Sequence, residues 1–281
     1  LKRLADAVHE YESRIIGQLY HPGRQGFVHV NGVESMPAPS DLCDAMTQQP
    51  VHAMDIDEIN ALVDSFAQAA GRLSQAGFDG VEIHAAHGYL LNSFLSPYAN
   101  LRTDQYGGST ENRVRIIKQI VEAIRNLCGK DFAVITRISA DEYLSMVGKV
   151  DQGITLDEGI AIAKALEDMG CDAIDVSSGV YETMNTAWEP FAYEEGWKSH
   201  LAAEVKQAVS IPVIGVSVYR NPSFAEALLE EGKLDFVGSA RAHFADSHWS
   251  SKAEAGEPGS IRRCISCLAC MESLVAADET G

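Results

Sequence analysis

Basic residues are scarce for a chain of this length. Lys and Arg number 22 against 40 Asp and Glu, which gives a formal net charge of −18. Binding to nucleic acid or to an anionic membrane surface relies on clustered Lys and Arg. The deficit therefore argues against both as general partners, and the simplest interpretation is a solvated acidic surface.

Long apolar runs and targeting signals are lacking as well. No run of about 18 apolar residues marks a transmembrane helix, and no secretory signal peptide is recognisable. We therefore expect a cytoplasmic protein without a membrane partner. The chain starts at Leu1, which is compatible with a natural N-terminus further upstream.

The cysteine pattern does not indicate a disulfide scaffold of the secreted type. Cys43, Cys128 and Cys171 are scattered along the chain, and we expect each to be a small buried hydrophobe. The other three cysteines form a Cys-x-x-Cys-x-x-Cys run at residues 264–270. Thiols at this spacing can reach one metal centre from one tight loop, and composition alone allows zinc or an iron–sulfur cluster.

Short apolar strands alternate with amphipathic helices over most of the chain. The strands are β-branched and nearly continuous in apolar character, as buried parallel strands are. Such an alternation predicts an α/β fold with a parallel sheet and right-handed crossovers. The predicted strands are Ile15–Tyr20, Gly80–His84, Ala133–Ile138, Ala173–Ser177, Pro212–Val216 and Asp235–Ser239.

Helix starts are marked by capping residues. Asp55 with Glu58 predicts a capping box, and Thr155 with Glu158 predicts another. Asn221–Pro222 places a cap before a proline at the first helical position. The chain thus provides six βα units, whereas a closed barrel has about eight. An open doubly wound sheet is the alternative, although no Gly-x-Gly-x-x-Gly follows a strand.

A polar constellation follows the second predicted strand. His84, His87 and Tyr89 lie where this strand ends, on the face where barrel active sites are built. Two imidazole donors and a phenol suit polarising a carbonyl and delivering a proton. Satisfied polar residues at a loop start are the plain alternative. A metal site at the two histidines is less favoured, because no third ligand is near in sequence.

The segment from His84 to Arg113 closely resembles the signature of the Old Yellow Enzyme family of flavin oxidoreductases. The run Gln18–Arg24 resembles the third-strand motif of that family. The resemblance covers about Ile15 to Cys270. It implies a (β/α)8 TIM barrel that lacks its first two βα units, with strands three to eight in an FMN-binding domain at residues 1–252.

The resemblance implies roles for the cofactor site. Gln18 matches the glutamine that bonds the flavin pyrimidine ring, and Arg137 matches the arginine beside flavin N1 and O2. Ser217, Ala240 and Arg241 lie in the two late strand motifs that cradle the FMN phosphate. The family normally has glycine at the Ser217 and Ala240 positions, so backbone approach to the phosphate is less free here.

The catalytic roles follow in the same way. His84 and His87 match the pair that holds the substrate carbonyl oxygen, and Tyr89 matches the acid that protonates the α-carbon. The implied activity is NAD(P)H-dependent hydride transfer from FMN to the β-carbon of an α,β-unsaturated carbonyl compound. Strand alternation also allows Glu82 and Arg137 to point into the barrel together, and we hypothesise that they pair.

The cysteine run resembles that of the iron–sulfur branch of the family, which includes 2,4-dienoyl-CoA reductase, 2-enoate reductase, bile-acid-modifying reductases and trimethylamine dehydrogenase. Cys264, Cys267 and Cys270 would then ligate a [4Fe–4S] cluster in a segment at residues 253–281. The fourth ligand, and the domain that binds FAD and NAD(P)H, would lie beyond this chain. Zinc or free thiols remain the alternative.

Two other functions stay open. Trimethylamine dehydrogenase shares the cysteine spacing, but a tyrosine replaces the first histidine of its motif, whereas this chain has His84. A non-catalytic flavin or iron–sulfur electron-transfer module is the third hypothesis. The substrate (an enoate, an enoyl-CoA or a steroid enone), the choice of NADH or NADPH and a homo-oligomeric state are left undetermined.

Overall fold

A computed structural model describes residues 1–273. It contains a six-stranded and a two-stranded sheet, both parallel in every pairing. The strands are β1 Ile16–Leu19, β2 Met36–Ala38, β3 Val51–Ala53, β4 Gly80–Ala85, β5 Ala133–Ser139, β6 Ala173–Ser177, β7 Val213–Val216 and β8 Phe236–Gly238.

Helices fill the connections between the strands. The α-helices are α1 Lys2–His9, α2 Val28–Asn31, α3 Ile56–Gln75, α4 Leu90–Leu95, α5 Thr110–Arg113, α6 Arg115–Cys128, α7 Leu156–Asp168, α8 Met184–Trp188, α9 Ser199–Ala208, α10 Pro222–Glu230, α11 Arg241–Ala245 and α12 Trp249–Glu254. Short 3-10 helices lie at Gly23–Gln25, Leu144–Val147, Tyr181–Thr183 and Pro258–Ser260.

The large sheet follows the order β1-β4-β5-β6-β7-β8, so its strands are arranged in chain order. A doubly wound sheet would reverse direction at a switch point, and this one does not. The sheet curls into a partial barrel. The predicted TIM-barrel class with six βα units is therefore confirmed.

The two faces of the sheet have different roles. Val81 and Ile83 are fully buried and pack into the hydrophobic core with helices α3 and α6. Side chains alternate along a strand, so Glu82 and His84 point to the opposite, concave face. The register pairs His84 with Arg137, and Arg137 with Asp175. Polar groups of three neighbouring strands thus lie in one row.

One of the two predicted capping boxes is formed. The Asp55 side chain accepts the amide proton of Glu58, and the Glu58 carboxylate accepts that of Asp55. The prediction at Thr155 was wrong, since its side chain makes no capping bond. The reason is competition: Glu158 instead pairs with Arg113 and accepts a hydrogen bond from Thr110 at 2.8 Å.

The small sheet of β2 and β3 was not predicted. Each strand has only three residues, and β2 contains Pro37. Neither strand is therefore long enough to show an alternating apolar pattern in the sequence. Met36 and Val51 pair at the start of this sheet. It shapes the connection between β1 and α3 and packs against the 3-10 helix Gly23–Gln25.

The scattered cysteines differ from one another. Cys171 is buried, as expected, but Cys128 is only partly buried and Cys43 is exposed. The prediction of a buried Cys43 was therefore wrong, because its segment runs over the surface between β2 and β3.

Within residues 1–273, no helix combines the length and apolar character needed to cross a membrane.

The predicted boundary between residues 252 and 253 falls inside α12. The described part of the following segment contains the 3-10 helix Pro258–Ser260 and all three clustered cysteines. Residues 274–281, the last part of the predicted cluster segment, lie outside the described residues. The domain division stays a prediction.

Candidate active site

The site begins at the turn after β4, which presents His87 and Tyr89. His87 adopts a left-handed conformation with φ 63°, and Gly88 follows with φ 81°. A non-glycine residue in this region costs on the order of 1–3 kcal/mol and persists only where its surroundings enforce it. A side chain at position 88 would collide with the Gln25 amide, so both space and backbone geometry require glycine there.

His84 is 5% exposed and keeps one ring nitrogen available. Its Nδ1 accepts the amide proton of Ala86 at 3.3 Å. A neutral ring that accepts at Nδ1 carries its proton on Nε2. His84 therefore offers an N–H donor to the concave face.

His87 is held by the ends of two further strands. Its Nε2 lies 2.7 Å from the Ser177 hydroxyl, and its amide donates to the Ser139 hydroxyl at 2.9 Å. Its ring centroid lies 5.1 Å from that of His84, with the rings edge to face. The two imidazoles therefore line one patch at the carboxyl ends of β4, β5 and β6.

Tyr89 completes this cluster, which we call the histidine end (His84, His87 and Tyr89). Its ring centroid is 5.0 Å from that of His84. Its hydroxyl lies 3.4 Å from the hydroxyl of Tyr181, and the ring of Tyr20 packs nearby with centroids 5.3 Å apart. Burial raises the pKa of Tyr181, so this neighbour stays protonated.

Both histidines are neutral at ordinary pH. Burial lowers the pKa of His84 to about 3, and the positive charge of Arg137 contributes to this shift. Burial likewise lowers the pKa of His87 well below its usual range, with Arg137, His84 and Lys198 adding to the effect. Neutral imidazoles can donate hydrogen bonds to a carbonyl oxygen without carrying a charge into a buried site.

Arg137 does not pair with Glu82 as hypothesised. Its Nε lies 3.5 Å from the Asp175 carboxylate, while Glu82 accepts a hydrogen bond from Gln18. Register explains the correction: Glu82 is opposite Ile135, one row away from Arg137. Burial raises the pKa of Asp175 to about 7; Arg137 opposes this rise and the neighbouring Glu82 adds to it.

A cavity of about 490 Å³ lies beside Arg137 at the ends of β7 and β8. Of the five predicted cofactor residues, it brings together Arg137, Ser217, Ala240 and Arg241. Gln18 is not among its lining residues and lies on β1, at the other edge of the sheet. Cys264 and Cys270 also line this cavity.

Sequence reasoning missed Glu189 and Lys198, which join Ser217 and Arg241 in a charged cluster at this cavity that we call the cationic end. Ser217 donates a hydrogen bond to the Glu189 carboxylate at 2.7 Å. Lys198 and Arg241 each lie 3.5 Å from the other carboxylate oxygen. Burial lowers the pKa of Lys198 to about 8, against the opposing effect of Glu189.

The clustered cysteines lie in an unusual loop. The amide of Ser266 donates to the Cys264 sulfur at 3.4 Å. Ser266 and Leu268 both have positive φ, at 52° and 62°. Among residues 1–273, however, no group of three or more His, Cys, Asp or Glu side chains is close enough together to hold a metal ion.

Sequence reasoning missed several further residues at or near the site. Ser139 and Ser177 could have been found, because each ends an apolar strand in the position where barrel sites form. Glu142 and Glu189 could not, since they lie in loops and no motif marks their partners. Both of these glutamates are 1% exposed.

Several known proteins are similar to this chain in sequence or in fold. An NADH oxidase from Thermoanaerobacter brockii is 44% identical over 265 residues, which cover 94% of this chain and 40% of that protein. Among solved structures, a 2-naphthoyl-CoA reductase in complex with 2-naphthoyl-CoA has a TM-score of 0.88 at 30% identity, covering 95% of this chain and 42% of its own.

A histamine dehydrogenase from Rhizobium sp. 4-9 has a TM-score of 0.86 at 32% identity, covering 96% of this chain and 38% of its own. This chain therefore spans about two fifths of the length of these relatives. The profile of one protein family matches residues 1–259. The chain belongs to the NADH:flavin oxidoreductase / NADH oxidase family.

Proposed function

We propose that this chain is the FMN-binding part of an NAD(P)H-dependent ene-reductase that acts on an α,β-unsaturated carbonyl compound. The observation that carries the proposal is the histidine end, where two neutral imidazoles lie beside a phenol at the carboxyl ends of the strands. An enoate, an enoyl-CoA and a steroid enone all have the carbonyl group that this arrangement suits.

In this proposal, His84 and His87 bind the substrate carbonyl oxygen. The Nε2–H of His84 is available because Nδ1 accepts the Ala86 amide proton. Negative charge develops on the carbonyl oxygen as the alkene is reduced, and fixed donors stabilise that charge without reorganising. Arg137, paired with Asp175 in the same row, adds a positive charge nearby.

Tyr89 donates the proton to the α-carbon. When bound, FMN supplies the hydride that is delivered to the β-carbon. The Tyr181 hydroxyl, 3.4 Å from that of Tyr89, is placed to stabilise the resulting phenolate by a hydrogen bond. The ring of Tyr20 also contacts that of Tyr89, with centroids 5.3 Å apart.

The residues at the cavity fit an FMN molecule. The buried Nε of Arg137 has no hydrogen-bond partner among the described side chains and backbone groups, so a donor is left for a ligand. Arg241 and Ser217 lie in the same cavity, and α11 begins there, with amides that have no acceptor inside the helix. Gln18 would reach the cofactor from β1.

The cysteines are proposed as ligands of a [4Fe–4S] cluster. Their chemistry fits such a cluster. Two residues separate each thiol from the next, and the Ser266 amide donates a hydrogen bond to the Cys264 sulfur. The described side chains are not gathered into a metal site, so we assign them no step in the reaction. Iron and acid-labile sulfide in the full-length protein would support the cluster, and zinc alone would refute it.

Anaerobic single turnover tests the main proposal. An enone or enoate should reoxidise the reduced protein, whereas trimethylamine should leave the oxidised protein unchanged. The reverse pattern would overturn ene reduction. If neither compound reacts although the flavin is reduced by NADH or NADPH, the non-catalytic electron-transfer hypothesis gains support.

Amine oxidation is the second candidate function. Its support is the likeness to the histamine dehydrogenase structure. Asp175, which is buried, and Glu82, which is half-buried one row away, supply carboxylates near the histidine end that suit a cationic amine. Reduction of the oxidised protein by histamine or trimethylamine, with no response to enones, would establish this alternative.

A further inference from the structure

A buried carboxylate lies behind the histidine end without facing it. Glu142 is 1% exposed and follows β5 by three residues. Its Oε1 accepts a hydrogen bond from the Asn92 amide nitrogen at 3.0 Å. Its Oε2 accepts from the Ser96 hydroxyl at 2.8 Å and from the Ile154 amide at 2.9 Å.

Asn92 connects Glu142 to the turn at His87–Tyr89, because its side chain bonds both Glu142 and the Gly88 amide. Its side-chain Oδ1 accepts the amide proton of Gly88 at 2.6 Å. An amide nitrogen of the backbone can only donate, so the Asn92 oxygen must face Gly88 and its NH₂ group must face Glu142. The orientation of the Asn92 amide is thus determined from both sides.

The turn held in this way is the one that carries the left-handed His87. Its backbone places the His87 ring against Ser177 and the Tyr89 ring against His84. Such a conformation needs enforcement by its surroundings. The buried Asn92 side chain holds the turn at the Gly88 amide. The Gln25 side-chain amide donates a hydrogen bond to the His87 carbonyl oxygen at 3.0 Å.

We propose that Glu142 and Asn92 are positioning residues, which fix the His87–Gly88–Tyr89 turn through one directed chain of hydrogen bonds. Both side chains are buried, so we assign neither a contact with the substrate carbonyl. The proposal rests on the proposed ene reduction for its kinetic effect, but the structural effect on the turn is independent of any activity.

Each hydrogen bond in this chain has a fixed donor and a fixed acceptor. Swapping the amide and the carboxylate between positions 92 and 142 therefore tests the chain. Glu142→Gln places an NH₂ group against either the Asn92 NH₂ or the Ile154 amide, so two donors face each other. Asn92→Asp places one carboxylate against another.

The double variant N92D/E142Q restores every hydrogen bond with the same net charge. The carboxylate introduced at position 92 accepts from the Gly88 amide and from the NH₂ group introduced at position 142. The amide oxygen introduced at position 142 accepts from Ser96 and Ile154.

Hydrogen exchange of peptides covering residues 84–92 reports on the turn, and single turnover with an enone reports on catalysis. Measurements at pH 8 keep the wild-type Glu142 ionised, because burial raises its pKa only to about 7. Each single variant should speed exchange of the Gly88 amide by about tenfold or more and slow the reaction step by about 10–100-fold. Substrate KM should change far less than the rate of the reaction step.

The double variant should recover both values to within about threefold of the wild type. Ser96→Ala is the matched control: it removes a donor to the other Glu142 oxygen and should leave Gly88 exchange and the rate near wild type. Failure of the double variant to recover exchange, or unchanged exchange in both single variants, would overturn the proposal. If a single variant does not fold, the double variant still decides, because only directed pairing predicts that it folds.

The two readouts separate the two proposals. If even the wild type fails to reduce an enone while the exchange pattern is as expected, the proposed reaction is refuted and the positioning of the turn stands. If the reaction occurs but exchange at Gly88 does not respond, the reverse holds.

Discussion

The histidine end and the cationic end hold their polar groups in different ways. At the histidine end, the Ala86 amide and the Ser177 hydroxyl bond two uncharged rings, and the Ser139 hydroxyl accepts the backbone amide of His87. At the cationic end, one carboxylate, Glu189, lies between Lys198 and Arg241. The first arrangement is uncharged and leaves one imidazole N–H of His84 available. The second contains charges that an anionic ligand such as a phosphate group would rebalance.

The largest effect should come from Glu189. Replacing it by alanine leaves Lys198, which is buried, without its charged partner. Breaking a buried ion pair on one side costs about 3–5 kcal/mol. Urea unfolding would measure the loss. Glu194→Ala, in the same loop, is the control and should stay within about 0.5 kcal/mol of wild type. Equal effects would show that the charged cluster contributes little to stability.

Tyr89→Phe should act on the reaction and not on stability. Loss of a general acid slows the chemical step by about 10²-fold or more, which single-turnover reoxidation by an enone would reveal. Tyr20→Phe removes a neighbouring hydroxyl with the same ring retained, and its rate should stay close to wild type. A wild-type rate in Tyr89→Phe would remove the proposed proton donor.

His84 should make stability depend on pH. Its folded pKa of about 3 lies below its ordinary value of 6.5, so the unfolded chain binds the proton more tightly. Stability is therefore full above pH 6.5 and falls as pH drops toward 3, by ~2 kcal/mol at pH 5.

His84→Gln should remove this part of the decline between pH 7.5 and pH 5. Urea unfolding at both pH values measures the difference, and His200→Gln, at an exposed position, is the control. If the decline in His84→Gln matches that of the wild type, the buried neutral histidine is not its source.

Ser217→Gly should have the smallest effect. It removes the hydroxyl that donates to Glu189, but the Val218 amide and both cations still hold that carboxylate. A single hydrogen bond of this kind contributes about 1 kcal/mol or more. If Ser217→Gly lost as much unfolding free energy as Glu189→Ala, the Ser217 hydrogen bond, and not the ion pairs, would be what stabilises the cationic end.

Much of the fold could be predicted because its signals are local. The six strands of the large sheet are short apolar runs, and the Asp55 capping box uses residues three apart. Thr155 shows the limit of local rules, since the Glu158 side chain is taken by Arg113 and Thr110. The competing partner comes from a distant segment, and no spacing rule contains it.

In the candidate site, too, residues grouped by local signals could be predicted, and residues brought together by tertiary structure could not. His84, His87 and Tyr89 share one strand end, so the sequence alone groups them. Four of the predicted cofactor residues also meet at one cavity, because parallel strands end at the same edge. The pairing of Arg137 with Asp175 required the register between β5 and β6, and Glu189 required the course of a long loop.

The parallel register also determines where this chain can tolerate insertions. Alternate residues on every strand point to one face, and this rule places the following polar side chains together: Gln18, Glu82, His84, Arg137, Ser139, Asp175 and Ser177. One extra residue inside β5 would turn Arg137 and Ser139 toward the helices and bring apolar side chains into the site. The exposed loop at residues 145–152, beyond the end of that strand, can change length without moving any of them. Length changes in this loop should therefore disturb the site far less than length changes in the strand before it.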